Sequence, residues 1–161
     1  MSQPKNSEKK RILAVDDEPD VIEVIQEQLE DYTVVPATSF ESAHKLILAE
    51  HFDLAILDIM GVNGFALLDT CAVRRLPAAM LTAHALNIAS INLAIKLGAI
   101  SFLPKDELAR INEYVAEILE CLAEGKTHWA KLFERLEPLF RARLGVEWKH
   151  FGNQSYPLTF E

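Results

Sequence analysis

The chain predicts an α/β fold in which a five-stranded parallel sheet carries helices on both faces. Three observations point there. Short apolar runs alternate with amphipathic segments five times along the chain, the pattern of repeated strand–helix units. The run from Phe52 to Ile59 is apolar apart from Asp53 and Asp58, which is too brief for a helix and marks a strand covered on both sides. Finally, the polar residues Asp16, Asp17, Asp58, Thr82 and Lys105 each fall at or just beyond the C-terminal end of such a run. In open α/β sheets that edge is where ligands bind.

The elements follow in order. Beyond a polar tail over residues 1–10, expected to be disordered, Ile12-Leu13-Ala14-Val15 forms the first strand and runs into Asp16-Asp17-Glu18-Pro19. Pro19 suits the first turn of a helix, and Val21, Ile22, Val24, Ile25 and Leu29 recur at helical spacing. Tyr32 to Ala37 is rich in β-branched residues and reads as the second strand. Thr38 or Ser39 then caps a helix with Phe40, Ala43, Leu46 and Ile47 on one face, and Phe52 is a candidate for the same face. The third strand ends at Asp58. Gly64 opens a helix through Leu67, Leu68, Cys71 and Val73; Ala78 to Thr82 is the fourth strand. Ile88 to Leu97 is helical with Gly98 as its stop, and Ala99 to Leu103 is the fifth strand. Asp106 is expected to cap a last helix carrying Leu108, Ile111, Val115, Ile118, Leu119 and Leu122 on one face, which ends at Gly125.

Composition narrows the function classes. A formal charge of −8 on 161 residues argues against a nucleic-acid binder, because phosphate backbones are held by clustered Lys and Arg. Residues 126–161 are mildly basic, with 6 Lys and Arg against 4 Asp and Glu, as expected of a solvated helix face. Cys71 and Cys121 lack metal-ligand spacing and read as reduced thiols of a cytoplasmic protein. The start of the chain has no secretory pattern, and the longest weakly charged stretch, Leu76 to Pro104, is broken by polar residues, so no membrane span is expected.

Asp58 alone reads equally as the residue that opens the turn toward Gly61 and Gly64. The convergence of five polar residues on one sheet edge favours a working group. Three carboxylates crowded there repel one another, which raises their pKa values or calls for a cation. Hard oxygen ligands with room for water and a phosphoryl group suit Mg²⁺. In this arrangement Asp58 is a nucleophile toward phosphorus, Lys105 balances the phosphoryl charge, and Thr82 donates a hydrogen bond to a phosphoryl oxygen.

Asp16-Asp17 after the first strand, Asp58 at the third, Thr82-Ala83 at the fourth and Phe102-x-x-Lys105 at the fifth together resemble the receiver domain of two-component response regulators, over residues 11–124. The resemblance implies a flavodoxin-like sheet in order 2-1-3-4-5. It further implies that Asp58 is the phosphoacceptor and that Asp17, Asp58 and the Met60 carbonyl oxygen hold Mg²⁺, with Asp16 helping through water. Thr82 and Phe102 would be paired switch residues, and Lys105 the phosphate contact. A histidine kinase or phosphotransfer protein would be the donor, and the domain would catalyse only its own phosphorylation and dephosphorylation, with output through protein binding.

The chain departs from the family pattern in three places. The turn Asp58-Ile59-Met60-Gly61-Val62-Asn63-Gly64 is shorter than usual and lacks a proline, Pro104 precedes Lys105 instead of following it, and Met60 and His84 stand at positions that tune hydrolysis in the family. Apolar Met60 leads to the expectation of a long-lived phosphorylated state. The shortened turn motivates an alternative, a receiver-like scaffold that takes no phosphate. A second alternative, an aspartate-based phosphohydrolase, ranks lower because its nucleophile is expected on the first strand, with an acid two residues on.

Residues 125–161 are expected to form a helical extension and tail. Thr127 caps a helix with Trp129, Leu132, Phe133, Leu136 and Phe140 on one face, and Pro138 kinks it. That stripe has to be covered by the receiver itself, by a second copy in a homodimer or by a partner. His44, His51, His128 and His150 share no ligand spacing and are expected to be partly exposed structural residues.

Overall fold

The computed structural model describes residues 8–83, 88–126 and His128. Five strands, β1 (Arg11–Val15), β2 (Thr33–Ala37), β3 (Leu54–Asp58), β4 (Ala78–Thr82) and β5 (Ser101–Pro104), alternate with α1 (Pro19–Gln28), α2 (Phe40–Ala49), α3 (Gly64–Val73), α4 (Ile88–Lys96) and α5 (Ile111–Ala123). The sheet is parallel throughout, in order β2-β1-β3-β4-β5. The expected fold class and strand order are therefore those observed.

β3 and β4 are buried at every residue, as continuous apolar runs between two helical layers must be. Pro36 lacks an N–H to give to a ladder. It is tolerated because β2 is an edge strand. Helix α1 starts with Pro at its first position, and α2 starts where Ser39 Oγ accepts a hydrogen bond from the Ser42 N–H. Cys71 and Cys121 are buried free thiols; burial pushes the Cys71 thiol up to about 12, which removes thiolate reactivity near neutral pH.

Four expectations need correction. Phe52 is buried, but in the connection ahead of β3 and not on α2. The fifth strand begins at Ser101 and not Ala99, because Gly98 and Ala99 close the end of α4 with hydrogen bonds to Ile95 and Ala94 carbonyls. Asp106 is not the cap of the last helix: Pro104 leads into a 3-10 turn over Lys105–Arg110, and α5 starts only at Ile111, after Arg110. His128 is buried and not partly exposed: its Nδ1 lies 2.8 Å from Ser101 Oγ and its Nε2 lies 3.1 Å from Glu117 Oε2. The rest of the expected helical extension, from Thr127 onward, lies outside the described residues, as do His84, His150 and residues 1–7 of the expected tail.

Candidate functional site

The register fixes which side chains meet. Asp58 ends β3 opposite Leu81 of β4, and Thr82 ends β4 opposite Pro104 of β5. Lys105 thus emerges one residue past the edge that carries Asp58 and Thr82. β1 lies on the other side of β3, with Val15 opposite Leu57, so Asp16 leaves the sheet beside Asp58. The Asp16 N–H donates to the Ala37 carbonyl, which extends the pairing to β2 one residue past the strand and anchors the Asp16–Glu18 corner.

Lys105 is the hub. Its Nζ lies 2.9 Å from Asp16 Oδ2, 3.2 Å from Asp58 Oδ1 and 3.3 Å from Glu18 Oε1. Asp16 Oδ1 accepts from the Glu18 N–H at 2.9 Å, and Asp58 Oδ2 accepts from the Gly61 N–H at 2.9 Å. Asp16 and Asp58 are buried, whereas Asp17 and Glu18 are exposed.

The electrostatics of the pair are asymmetric. Burial raises the Asp16 carboxyl above its ordinary value, nearby Asp58 adds to that, and the Glu18 amide and Lys105 only partly offset it. For Lys105 burial works downward, but Asp16 and Asp58 outweigh it and hold the ammonium above its usual range. Two carboxylates share one ammonium, which keeps Lys105 charged in spite of its burial.

A cleft of about 440 Å³ opens over these groups. Asp17, Asp58, Met60, Gly61, Thr82 and Lys105 all line it, with Ser90 from the first turn of α4. Thr82 is buried at its inner wall. Phe102 is buried too; it stands opposite Met80, on the same face as Thr82 two residues along β4, which makes it the diagonal neighbour of that hydroxyl. Met60 is 83% exposed at the rim.

Sequence reasoning did not assign three contributors. Glu18 completes a cluster with Asp16 and Asp17 in which one oxygen from each lies within 4.8 Å of the others; in sequence it passes for a helix-start acid. Gly61 matters because a Cβ there would fall on the Asp17 carboxylate, so the loop after Asp58 closes down on the β1 corner. Ser90 carries no local signal, since its place at the cleft depends on how α4 docks.

The donor set fits a hard divalent cation. Asp16 Oδ2 is buried and meets the Lys105 ammonium without a well-directed hydrogen bond, and the exposed Asp17 and Glu18 oxygens stand beside it. Carboxylates with open water positions are what Mg²⁺ takes.

A doubly wound parallel sheet with an acidic corner, a strand-end Asp and an ammonium between them defines an α/β domain of the flavodoxin-like class whose charged cluster lies at the carboxyl edge. The family model for the response regulator receiver domain matches residues 12–116, and the chain belongs to that family. It is 34% identical over 121 residues to response regulator GtcR of Aneurinibacillus migulanus, a match covering 69% of this chain and 50% of that protein. The chain thus spans about half the length of the curated relative it matches. Among solved structures, a CheY-like receiver domain protein from Methanospirillum hungatei JF-1 aligns at TM-score 0.64 and 26% identity over 70% of this chain and 94% of that one. The receiver domain of NtrX from Brucella abortus aligns at TM-score 0.54 and 32% identity over 64% and 95%. Among the described residues no helix is long and apolar enough to cross a membrane.

Proposed function

We propose that Asp58 accepts a phosphoryl group from a phosphohistidine of a histidine kinase or phosphotransfer protein, in a Mg²⁺-dependent reaction, and that the modified domain switches a protein-binding surface. The observation that carries this reading is the contact of Lys105 Nζ with both Asp58 Oδ1 and Asp16 Oδ2.

An Asp58 carboxylate oxygen forms the new O–P bond while the donor's P–N bond breaks, its electron pair leaving on the imidazole nitrogen. Lys105 stays protonated throughout and neutralises charge on the phosphoryl oxygens; Thr82 donates its hydroxyl to one of them. Asp17, Asp58 and the Met60 carbonyl, with Asp16 and Glu18 beside them, would hold Mg²⁺, which supplies charge neutralisation for the transferring group. Gly61 positions the loop by donating its N–H to Asp58 Oδ2. The reading is a phosphoacceptor signalling domain of the cytoplasm that turns over only its own phosphoryl group, not an enzyme with external substrates.

The switch follows from the β4–β5 pairing. Charge added at Asp58 draws the Thr82 hydroxyl toward it, and the diagonal neighbour Phe102 repacks, altering the α4–β5–α5 surface. Incubation with acetyl phosphate and Mg²⁺, read by intact mass, tests the proposal: one phosphoryl unit is expected, lost in D58N. No adduct on the folded protein would favour the unphosphorylated scaffold, and steady release of phosphate from many substrates would favour a phosphohydrolase.

A further inference from the structure

At the opposite end of the sheet, three helices finish with the same cap. After α4, Gly98 (φ +98°) donates its N–H to Ile95 O, and the Ala99 N–H reaches Ala94 O. After α5, Gly125 (φ +72°) donates to Leu122 O, and Lys126 to Cys121 O. After α3 the pattern repeats, with Arg75 donating to Ala72 O and Leu76 to Cys71 O, but the left-handed residue (φ +57°) is an arginine. Glycine takes this conformation without strain, whereas a residue with a Cβ does not. Backbone strain held where glycine would serve points to a use for the side chain.

Arg75 lines a cleft of about 360 Å³ between the ends of α2 and α3, together with Arg74, Glu50, His51 and Phe52. The acids of this corner are already matched. Glu50 Oε1 pairs with Arg11 Nη2 at 2.6 Å, and the Arg11 guanidinium lies over the Phe52 ring. Asp53 Oδ2 accepts from the Arg11 N–H at 2.8 Å, and its Oδ1 stands 3.6 Å from His51 Nε2. Arg74 is held in place through Nη2, which donates to Leu48 O. Among the described residues neither Arg74 nor Arg75 has a carboxylate within ion-pair distance. Favourable interaction with helix-end carbonyls accounts for Arg74, not for a strained Arg75.

We infer that this cleft is a second ligand site, remote from Asp58, that takes a small oxyanion of the phosphate type through Arg74 and Arg75, which both line it. Planar guanidinium forks match such oxygens in pairs, and the corner is basic in a chain whose formal charge is −8.

The test is a titration of the ¹⁵N-labelled full chain with inorganic pyrophosphate in Mg²⁺-free buffer, with sodium chloride at matched ionic strength as control. Saturable shifts are expected at the amides of residues 50–52 and 74–76, at least tenfold weaker in R75G. Without pyrophosphate, R75G is expected to melt roughly 4 °C higher, since glycine relieves the left-handed strain. Shifts reproduced by chloride, shifts confined to residues 16–18 and 58–61, or R75G binding as the parent does would each overturn the proposal. A lower melting temperature in R75G would remove the strain argument on which it stands.

Discussion

Lys105 Nζ is nearer to Asp16 Oδ2, at 2.9 Å, than to Asp58 Oδ1, at 3.2 Å. The ammonium that serves the proposed phosphoacceptor is thus also the counter-ion of a fully buried acid on the neighbouring strand end. Any gain of negative charge at Asp58 shifts that sharing toward Asp58. It leaves Asp16 less compensated, which ties occupancy of the site to the β1 corner as well as to β4 and β5.

Removing the ammonium should therefore cost stability as well as chemistry. Lys105→Met strands Asp16 beside Asp58 in a buried setting, and breaking such a pair typically costs about 3 kcal/mol. The double variant K105M/D16N should recover much of that loss, because the stranded charge is gone. Urea unfolding of the four proteins of this cycle measures the coupling; additive effects would show that the contact carries no energy.

The pH dependence has a definite sign. Asp16 has a folded pKa above its ordinary 3.8, so its contribution to stability is full below the unfolded value and is lost as pH rises through the folded one. Lys105 remains charged far above neutrality and adds only a constant offset. In Mg²⁺-free buffer the stability of D16N relative to the parent should rise from pH 3.5 (~0.3 unit below the unfolded pKa) to neutrality. Added Mg²⁺ should reverse the trend by stabilising the parent alone. A flat difference across that range would contradict the buried-acid assignment.

Much of this site was legible because each strand of a two-sided parallel sheet is an uninterrupted apolar run, so its C-terminal end can be read to within a residue or so. Asp58 and Thr82 were located that way. Glu18 was not, because its contact with Lys105 spans 87 residues and rests on how the β1 corner faces the end of β5. The start of β5 was placed two residues early for a local reason: Ala99 and Ile100 continue the apolar run, but the Ala99 N–H closes the end of α4 on the Ala94 carbonyl. The 3-10 turn at Lys105–Arg110 escaped because Asp106 offers a plausible cap, whereas the turn starts two residues earlier, from an extended Pro104.

Gly61 in the β3–α3 loop and Gly64 at the start of α3 should respond differently to a methyl group. At Gly64 a Cβ would collide with the Asp58 carbonyl and the Ile59 Cα, backbone atoms that cannot step aside. G64A should lose roughly 3 kcal/mol. At Gly61 the obstacle is the Asp17 side chain, which is exposed and can swing away. G61A should stay within about 1 kcal/mol of the parent in stability yet bind Mg²⁺ several-fold more weakly, as calorimetric titration would register. Equal Mg²⁺ affinity in G61A would mean that Asp17 is not a ligand.

His128 makes the last case, since it links the segment after α5 to the sheet. Ser101 is fully buried on edge strand β5, and its hydroxyl has the imidazole at 2.8 Å, while Glu117 of α5 meets the other ring nitrogen. Truncation in H128A withdraws a partner from the buried hydroxyl and opens a void, for a loss of about 2 kcal/mol. S101A alone removes the hydroxyl that faces His128 Nδ1 and should cost about 1 kcal/mol. The double variant H128L/S101A replaces both polar groups with apolar ones and should be more stable than H128A. Thermal melts separate the alternatives. If H128A and the parent unfold together, the imidazole is a passive filler and the chain after α5 is not anchored to β5 through it.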